Sequence, residues 1–203
     1  STTSTTSTTS TTSTTSTTTL PRVNLGVMPG AGDPTALTCA KSGTCKVGDV
    51  GPGGGKVFYV APTQQTWGRY LEAAPTDYKK GTDARTQVEW GCIRTRTGAT
   101  DTAIGTGKAN TAAILEKCSE SGIAARVAAD YRGGGKSDWF LPSKNELNQM
   151  SDQEPAIGGF AADFYWSSSE SDANYAGYQI FGDGNQGNFI KVSTYYVRPV
   201  RAF

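Results

Sequence analysis

The pattern of apolar and polar positions splits the chain into an unpatterned polar lead and a patterned remainder. No apolar side chain precedes Leu20, and residues 1–19 read STTSTTSTTSTTSTTSTTT, with serine at positions 1, 4, 7, 10, 13 and 16. A tract with nothing to bury cannot fold alone. Its period of three matches polyproline II and not the period of two that a strand would need. At ~3.1 Å per residue such a helix would reach roughly 60 Å. Ser/Thr-dense tracts of this kind form O-glycosylated stalks, with Thr2, Thr3, Thr5, Thr6, Thr8 and Thr9 as candidate modification sites. A disordered linker is the plainer reading of the composition.

Residues 20–45 read as a Pro/Gly/Thr-containing connector. The glycines at 51, 53, 54 and 55 mark a tight loop. They lack the GxxxxGK[ST] spacing of a phosphate cradle, so a turn running into a strand at Lys56–Val60 is the better account. Tyr70–Ala74 and Thr86–Trp90 read as further strands. Lys108–Lys117 and Ile123–Tyr131 have helical composition, the second ended by Gly133-Gly-Gly135. Trp139–Pro142 is an apolar strand stopped by proline. Ser143-Lys-Asn-Glu146 is a capping box that opens a short helix with Leu147 and Met150 facing inward. From Phe164 to Phe203 the chain reads as strand and turn: Tyr165–Glu170, Ala176–Phe181, a turn at Gly182–Gly187, Phe189–Ser193 and Tyr195–Phe203. Helices followed by a glycine- and aromatic-rich β region predict an α+β fold. Trp139, Phe140, Leu141, Leu147, Trp166 and Val197 are expected in the core. Arg198 and Arg201 are expected to be structural; an arginine so close to a core strand needs a carboxylate or carbonyl partner, with Glu146 and Glu170 as candidates.

Charge adds little, because 19 basic and 18 acidic residues balance to +1 and give no footprint for nucleic acid or anionic membrane. No apolar run approaches ~18 residues, so no membrane insertion is expected. No signal peptide is visible. Ser1 is not an initiator methionine, which points to a removed leader or a longer N-terminal region. Histidine is absent, which excludes Ser-His-Asp and Cys-His catalysis and histidine metal sites.

The four cysteines predict disulfides Cys39–Cys45 and Cys92–Cys118 and an oxidising compartment. The second closes a loop of about 25 residues, worth roughly 3 kcal/mol in the chain-entropy model. Zinc on four thiolates and free buried thiols are the rivals, although the spacing lacks paired CxxC knuckles.

GDVGPGGGKVFYV (48–60), YLEAAP (70–75), TAIGTGKANT (102–111), DWFLPSKNELNQM (138–150), YWSSSE (165–170) and YYVRPVRAF (195–203) stand together in one order. In this the chain resembles the C-terminal domain family of the Legionella collagen-like adhesin, over about residues 46–203. The resemblance implies a C-type-lectin-like fold, with short helices against small twisted antiparallel sheets and a loop-rich binding face. It also implies adhesion from the end of a stalk, where the named relative binds sulfated glycosaminoglycans. Here no Gly-X-Y triplets occur, so the Ser/Thr tract would take the stalk's place.

The Glu-Pro-Asn and Gln-Pro-Asp sugar signatures of calcium-dependent lectins are absent. No cofactor is expected, although Asp183 and Asn185 in a glycine-rich turn could ligate calcium; a plain hairpin turn is the alternative. The same fold class serves as the variable protein of diversity-generating retroelements. Ser171, Asp172, Asn174, Tyr175, Tyr178, Asp183, Asn185 and Asn188 suit that role or an ordinary polar β region.

The residues then suggest three functions. The first is an extracellular adhesion module binding a glycan or protein through Asn174, Tyr175, Tyr178, Asp183, Asn185 and Asn188, as Tyr- and Asn-rich loops do. Arg94, Arg96, Arg126, Arg132 and Lys136 would form a sulfate-binding patch if they converge. The second is a homo-oligomeric or fibre subunit whose Ser/Thr tract packs into a neighbour. The third is catalysis, since the formylglycine-generating enzyme shares the broad fold. It is disfavoured, because the cysteines read as loop staples and no paired carboxylates stand out.

Overall fold

The computed structural model describes residues 1–3, 39 and 43–203. Thr2 and Thr3 are exposed, whereas Thr5, Thr6, Thr8 and Thr9 and the body of the stalk and connector lie outside the described residues. The architecture below belongs to the unit Gly32–Phe203.

Mixed helix and antiparallel sheet run as follows: β1 (Lys56–Gln65), β2 (Gly68–Ala73), β3 (Val88–Glu89), α1 (Gly107–Lys117), α2 (Ala124–Ala129), a 3-10 turn (Gly133–Gly135), α3 (Lys144–Asp152), α4 (Glu154–Ile157), β4 (Phe164–Glu170), β5 (Tyr175–Ile180), β6 (Gln186–Ile190), β7 (Thr194–Tyr195) and β8 (Val200–Ala202). The strands form three small sheets, ordered β1-β2-β8, β3-β7 and β4-β5-β6. The last strand returns to β2, with Leu71 opposite Ala202, so the C-terminal end closes the first hairpin.

The two larger apolar clusters among the described residues lie beneath. One gathers Trp90, Ile114, Leu141, Trp166 and Val197. The other gathers Phe58, Leu71, Phe140, Leu147, Met150, Tyr165 and Phe181. All six expected core residues are buried. The capping box forms as expected: Ser143 Oγ accepts from Glu146 N, and Glu146 Oε2 accepts from Ser143 N at 2.7 Å. Both disulfides pair as the spacing suggested, Cys39 with Cys45 and Cys92 with Cys118.

Other expectations need correction. Trp139–Pro142 forms no ladder strand; Phe140 makes a single bridge to Val200. The third strand shrinks to Val88–Glu89, and Tyr195–Phe203 breaks into β7 and β8, because the stretch between them carries Pro199, which has no N–H for a ladder. The turn after β5 is shorter than expected, since Gln186 and Gly187 already belong to β6.

Arg198 and Arg201 are buried and paired, but with neither Glu146 nor Glu170. Arg198 Nε lies 2.6 Å from Asp77, and its other nitrogens donate to the carbonyls of Ala74 and Gly159. Arg201 bridges Glu72 and Asp138, at 3.0 and 2.5 Å. The partners lie far away in sequence, on segments that only the returning C-terminal chain brings near.

The glycine loop proves to be a cradle for a carboxylate. Gly53 N and Gly55 N donate to the fully buried Glu72 at 2.9–3.1 Å. A Cβ on Gly51 or Gly53 would meet that carboxylate, and on Gly53 also the ring of Trp139. Two further buried acids are held in the same way. Glu146 accepts from Gly105 N at 2.7 Å, and Glu170 from the N–H groups of Thr97 and Gly98 at 3.0–3.1 Å. Burying a carboxylate is costly unless such donors replace its water.

Candidate functional site

The loop after Trp90 is strained backbone. Gly91, Cys92 and Arg94 all have positive φ, at 95°, 48° and 69°, and the latter two are the non-glycine residues that do so among the described ones. An L-residue there costs on the order of 1–2 kcal/mol, so the surroundings must impose it. They do so at several points. Cys92 is tied to Cys118 at the C-terminal end of α1, and its N–H donates to Glu120. Trp90 N and Gly91 N both donate to the Lys191 carbonyl. Arg94 N donates to the carbonyl of Ala173 at 2.8 Å.

That last bond docks the loop onto the turn between β4 and β5. In this turn Asp172 Oδ1 accepts from Asn174 N at 2.7 Å and Tyr175 N at 2.9 Å. Those donors, with Arg96 and Lys191 nearby, hold the Asp172 carboxyl below its usual range. Lys191 N donates to the Asn174 carbonyl. Arg94, Arg96, Asn174 and Tyr175 are exposed on this fixed base, Tyr175 at 44 %.

Beneath it Lys191 and Glu170 form a buried ion pair. The Lys191 ammonium also donates to the Thr95 carbonyl and lies 4.3 Å from the Trp90 ring centroid. The site is thus two exposed guanidinium groups, an amide and a phenol held on rigid backbone. Such a set can form several hydrogen bonds to anionic or hydroxyl-rich groups.

The structure therefore joins two of the expected anion-patch residues to two of the expected loop residues, and separates the others. Arg126 and Arg132 line a different cavity of about 520 Å³ with Lys79, Tyr78 and Tyr131. Lys136 follows the 3-10 turn. Within sheet β4-β5-β6 the pairing Tyr178↔Gly187 against Gly177↔Asn188 puts Tyr178 and Asn188 on opposite faces. Asn188 shares the face of Tyr175. Tyr178 joins Phe164, Phe189 and Tyr195 in an aromatic cluster with ring centroids 4.9–6.4 Å apart. Asp183 and Asn185 sit at the far hairpin tip, where Asp183 Oδ1 accepts from Asn185 N at 2.9 Å and closes the turn.

Sequence reading missed Lys191, Asp77 and Glu72. Glycines at alternate positions 51, 53 and 55 were the available signal for the last, since alternation aims bare backbone at one point.

Comparison with protein families matches residues 79–201 to the Lcl C-terminal domain, about three fifths of the chain. The match spans every residue of the candidate site and leaves out β1 and β2. No curated protein matches the chain.

Proposed function

The chain belongs to the Lcl C-terminal domain family, and on that premise we propose that it is an extracellular, adhesin-like binding module. Its ligand is a glycan or protein, engaged through Arg94, Arg96, Asn174 and Tyr175. The observation that carries this reading is the docking of the strained loop onto the β4–β5 turn by the Arg94–Ala173 bond. Strained backbone persists only where its surroundings over-determine it, and here the product is a rigid exposed surface. Two disulfides and the absence of any helix among the described residues long and apolar enough to cross a membrane are in keeping with that setting.

The short helices against small antiparallel sheets support a C-type-lectin-like fold, with the Ser/Thr tract as its stalk. The reading is binding and not catalysis: the cysteines are disulfide-bonded, and the buried carboxylates are engaged by backbone donors and cations.

The test is binding of the full chain to arrayed glycans and immobilised host-surface proteins. Arg94→Ala, Arg96→Ala and Tyr175→Ala are each expected to weaken the recovered interaction about tenfold, an effect near 1.4 kcal/mol, with melting temperature unchanged. If these variants bind normally while Arg126→Ala and Arg132→Ala do not, the site lies at the other cavity and the reading fails.

A further inference from the structure

Exposed apolar side chains are unevenly placed. Among the described residues the large ones are Val47, Tyr175, Phe189 and Val192. Phe189 lies within β6, Val192 two residues beyond it, and Tyr175 opposite Ile190 in the β5–β6 pairing. β6 is also the outer strand of its sheet.

The direction of its hydrogen-bonding groups follows from two bonds at the ends of the hairpin. Ile180 N donates to Asn185 O at 2.8 Å, and Lys191 N to Asn174 O at 2.9 Å. Both pairs continue the register of Tyr178↔Gly187 and Ala176↔Phe189. Bonded and non-bonded pairs alternate in an antiparallel ladder, so Gly187 and Phe189 turn their backbone groups toward β5. Gln186, Asn188 and Ile190 turn theirs outward. Of these outward groups the Ile190 carbonyl accepts from Ser193 N, and the others have no partner among the described residues.

The outer edges of β1, β8 and β4 are guarded. β1 contains Pro62 and two register shifts. β8 is bridged by Phe140, with bonds in both directions to Val200. β4 is covered by Tyr196, which accepts from Trp166 N and donates to the Phe164 carbonyl. Proline, bulges and covering segments are the usual means of preventing strand addition. β6, with sequence QGNFI, has no proline, no charge and no register shift.

We propose that β6 pairs antiparallel with β6 of a second copy of this chain, about a two-fold axis at Asn188, to form a continuous six-stranded sheet. The strand's own sequence argues for this occupant. Centred on Asn188, the pairing sets Asn188 against Asn188, Gln186 against Ile190 and Gly187 against Phe189 of the other copy. Outward-turned backbone then meets outward-turned backbone at Asn188 and at both Gln186–Ile190 positions, where the Ile190 carbonyl takes a second bond beside that from Ser193 N. At Gly187 the space above the backbone is taken by the Tyr178 ring, whose hydroxyl would lie 2.6 Å from an added Cβ. Phe189 of the second copy therefore meets an aromatic ring, extending the cluster across the axis. An uncharged strand does not repel its own copy. A two-fold contact needs only one self-complementary patch and consumes the free edge, so assembly stops at the dimer.

Sedimentation velocity of the full chain over a concentration series tests this. A monomer–dimer equilibrium is expected. Asn188→Pro removes the central outward donor, and Asn188→Lys places two ammonium groups face to face. Each is expected to raise the dissociation constant at least tenfold, and the lysine variant is expected to melt as the parent does. A short bismaleimide should join Asn188→Cys chains into dimers and leave a Ser137→Cys control unjoined. A chain that stays monomeric throughout overturns the proposal, leaving the edge to some other extended segment. A dimer untouched by either Asn188 variant overturns it as well, since its interface then lies elsewhere.

Discussion

Lys191 Nζ stands 2.5 Å from Glu170 Oε1, with both side chains removed from solvent. The pair sits between the loop that carries Arg94 and the strand that ends at the β4–β5 turn. Glu170 takes the N–H groups of Thr97 and Gly98, and Lys191 gives to Thr95. One ion pair thus fixes the loop at three residues, Thr95, Thr97 and Gly98. Lys191→Met should cost about 3–5 kcal/mol in denaturant unfolding, because it leaves Glu170 charged and uncompensated. The double variant Lys191→Met/Glu170→Gln should recover part of that loss. A single variant as stable as the parent would show that the pair is dispensable.

The strained loop gives a second expectation, which separates stability from binding. Arg94 has φ 69°, where glycine is unpenalised and a β-branched residue is worst placed. Arg94→Gly should keep stability within about 1 kcal/mol of the parent, since relief of strain offsets the extra freedom of the unfolded chain. Arg94→Val should lose more than about 1 kcal/mol. Both variants should bind ligand weakly. Thermal melts of the two, side by side, check the order.

Legibility in the sequence followed the range of the interactions. The capping box at Ser143 and Glu146, the helix after it and the six core residues were readable, because spacing within a few residues decides them. The partners of Arg198 and Arg201 were not. Asp77 and Glu72 lie more than 120 residues away in sequence, and nothing local distinguishes them from Glu146 or Glu170. The candidate site shows the same division. Arg94 and Asn174 each drew attention by residue type, but their proximity depends on a long-range backbone bond to Ala173. Lys191 looked like an ordinary strand lysine, and only its complete burial reveals its role.

Gly53 and Gly54 are neighbours with different duties, and alanine at each should separate them. A Cβ on Gly53 would lie 2.6 Å from the Trp139 ring and 2.8 Å from Glu72 Oε1, both in packed surroundings. Gly54 has φ 78° with open space where its Cβ would go. Gly54→Ala should therefore cost about 1 kcal/mol, from backbone strain alone. Gly53→Ala should cost roughly 2–3 kcal/mol, because the N–H cradle of Glu72 must open to admit the methyl group. Equal losses in urea denaturation would contradict the cradle.

Glu146 sets a pH dependence whose sign can be stated. Burial raises its pKa to about 7, against the opposing pull of the N–H groups of Ser143, Gly105 and Gly107. No cation faces it among its hydrogen-bond partners. A carboxyl whose folded pKa exceeds its unfolded value of 4.5 holds its proton longer in the folded state. Its contribution to stability is then fully present below about pH 4.5 and is lost as pH rises toward 7, levelling above that. The shift corresponds to roughly 3 kcal/mol at most over this window. Glu146→Gln keeps the shape and a carbonyl acceptor for the N–H groups but cannot ionise, so its stability should be flatter between pH 4.5 and 7. Melting temperatures of parent and variant, measured at intervals through that range, should converge at the acid end and diverge toward neutrality with the glutamine variant higher. If both curves run parallel, Glu146 is already ionised in the folded protein, and the loop donors at Gly105 and Gly107 outweigh its burial.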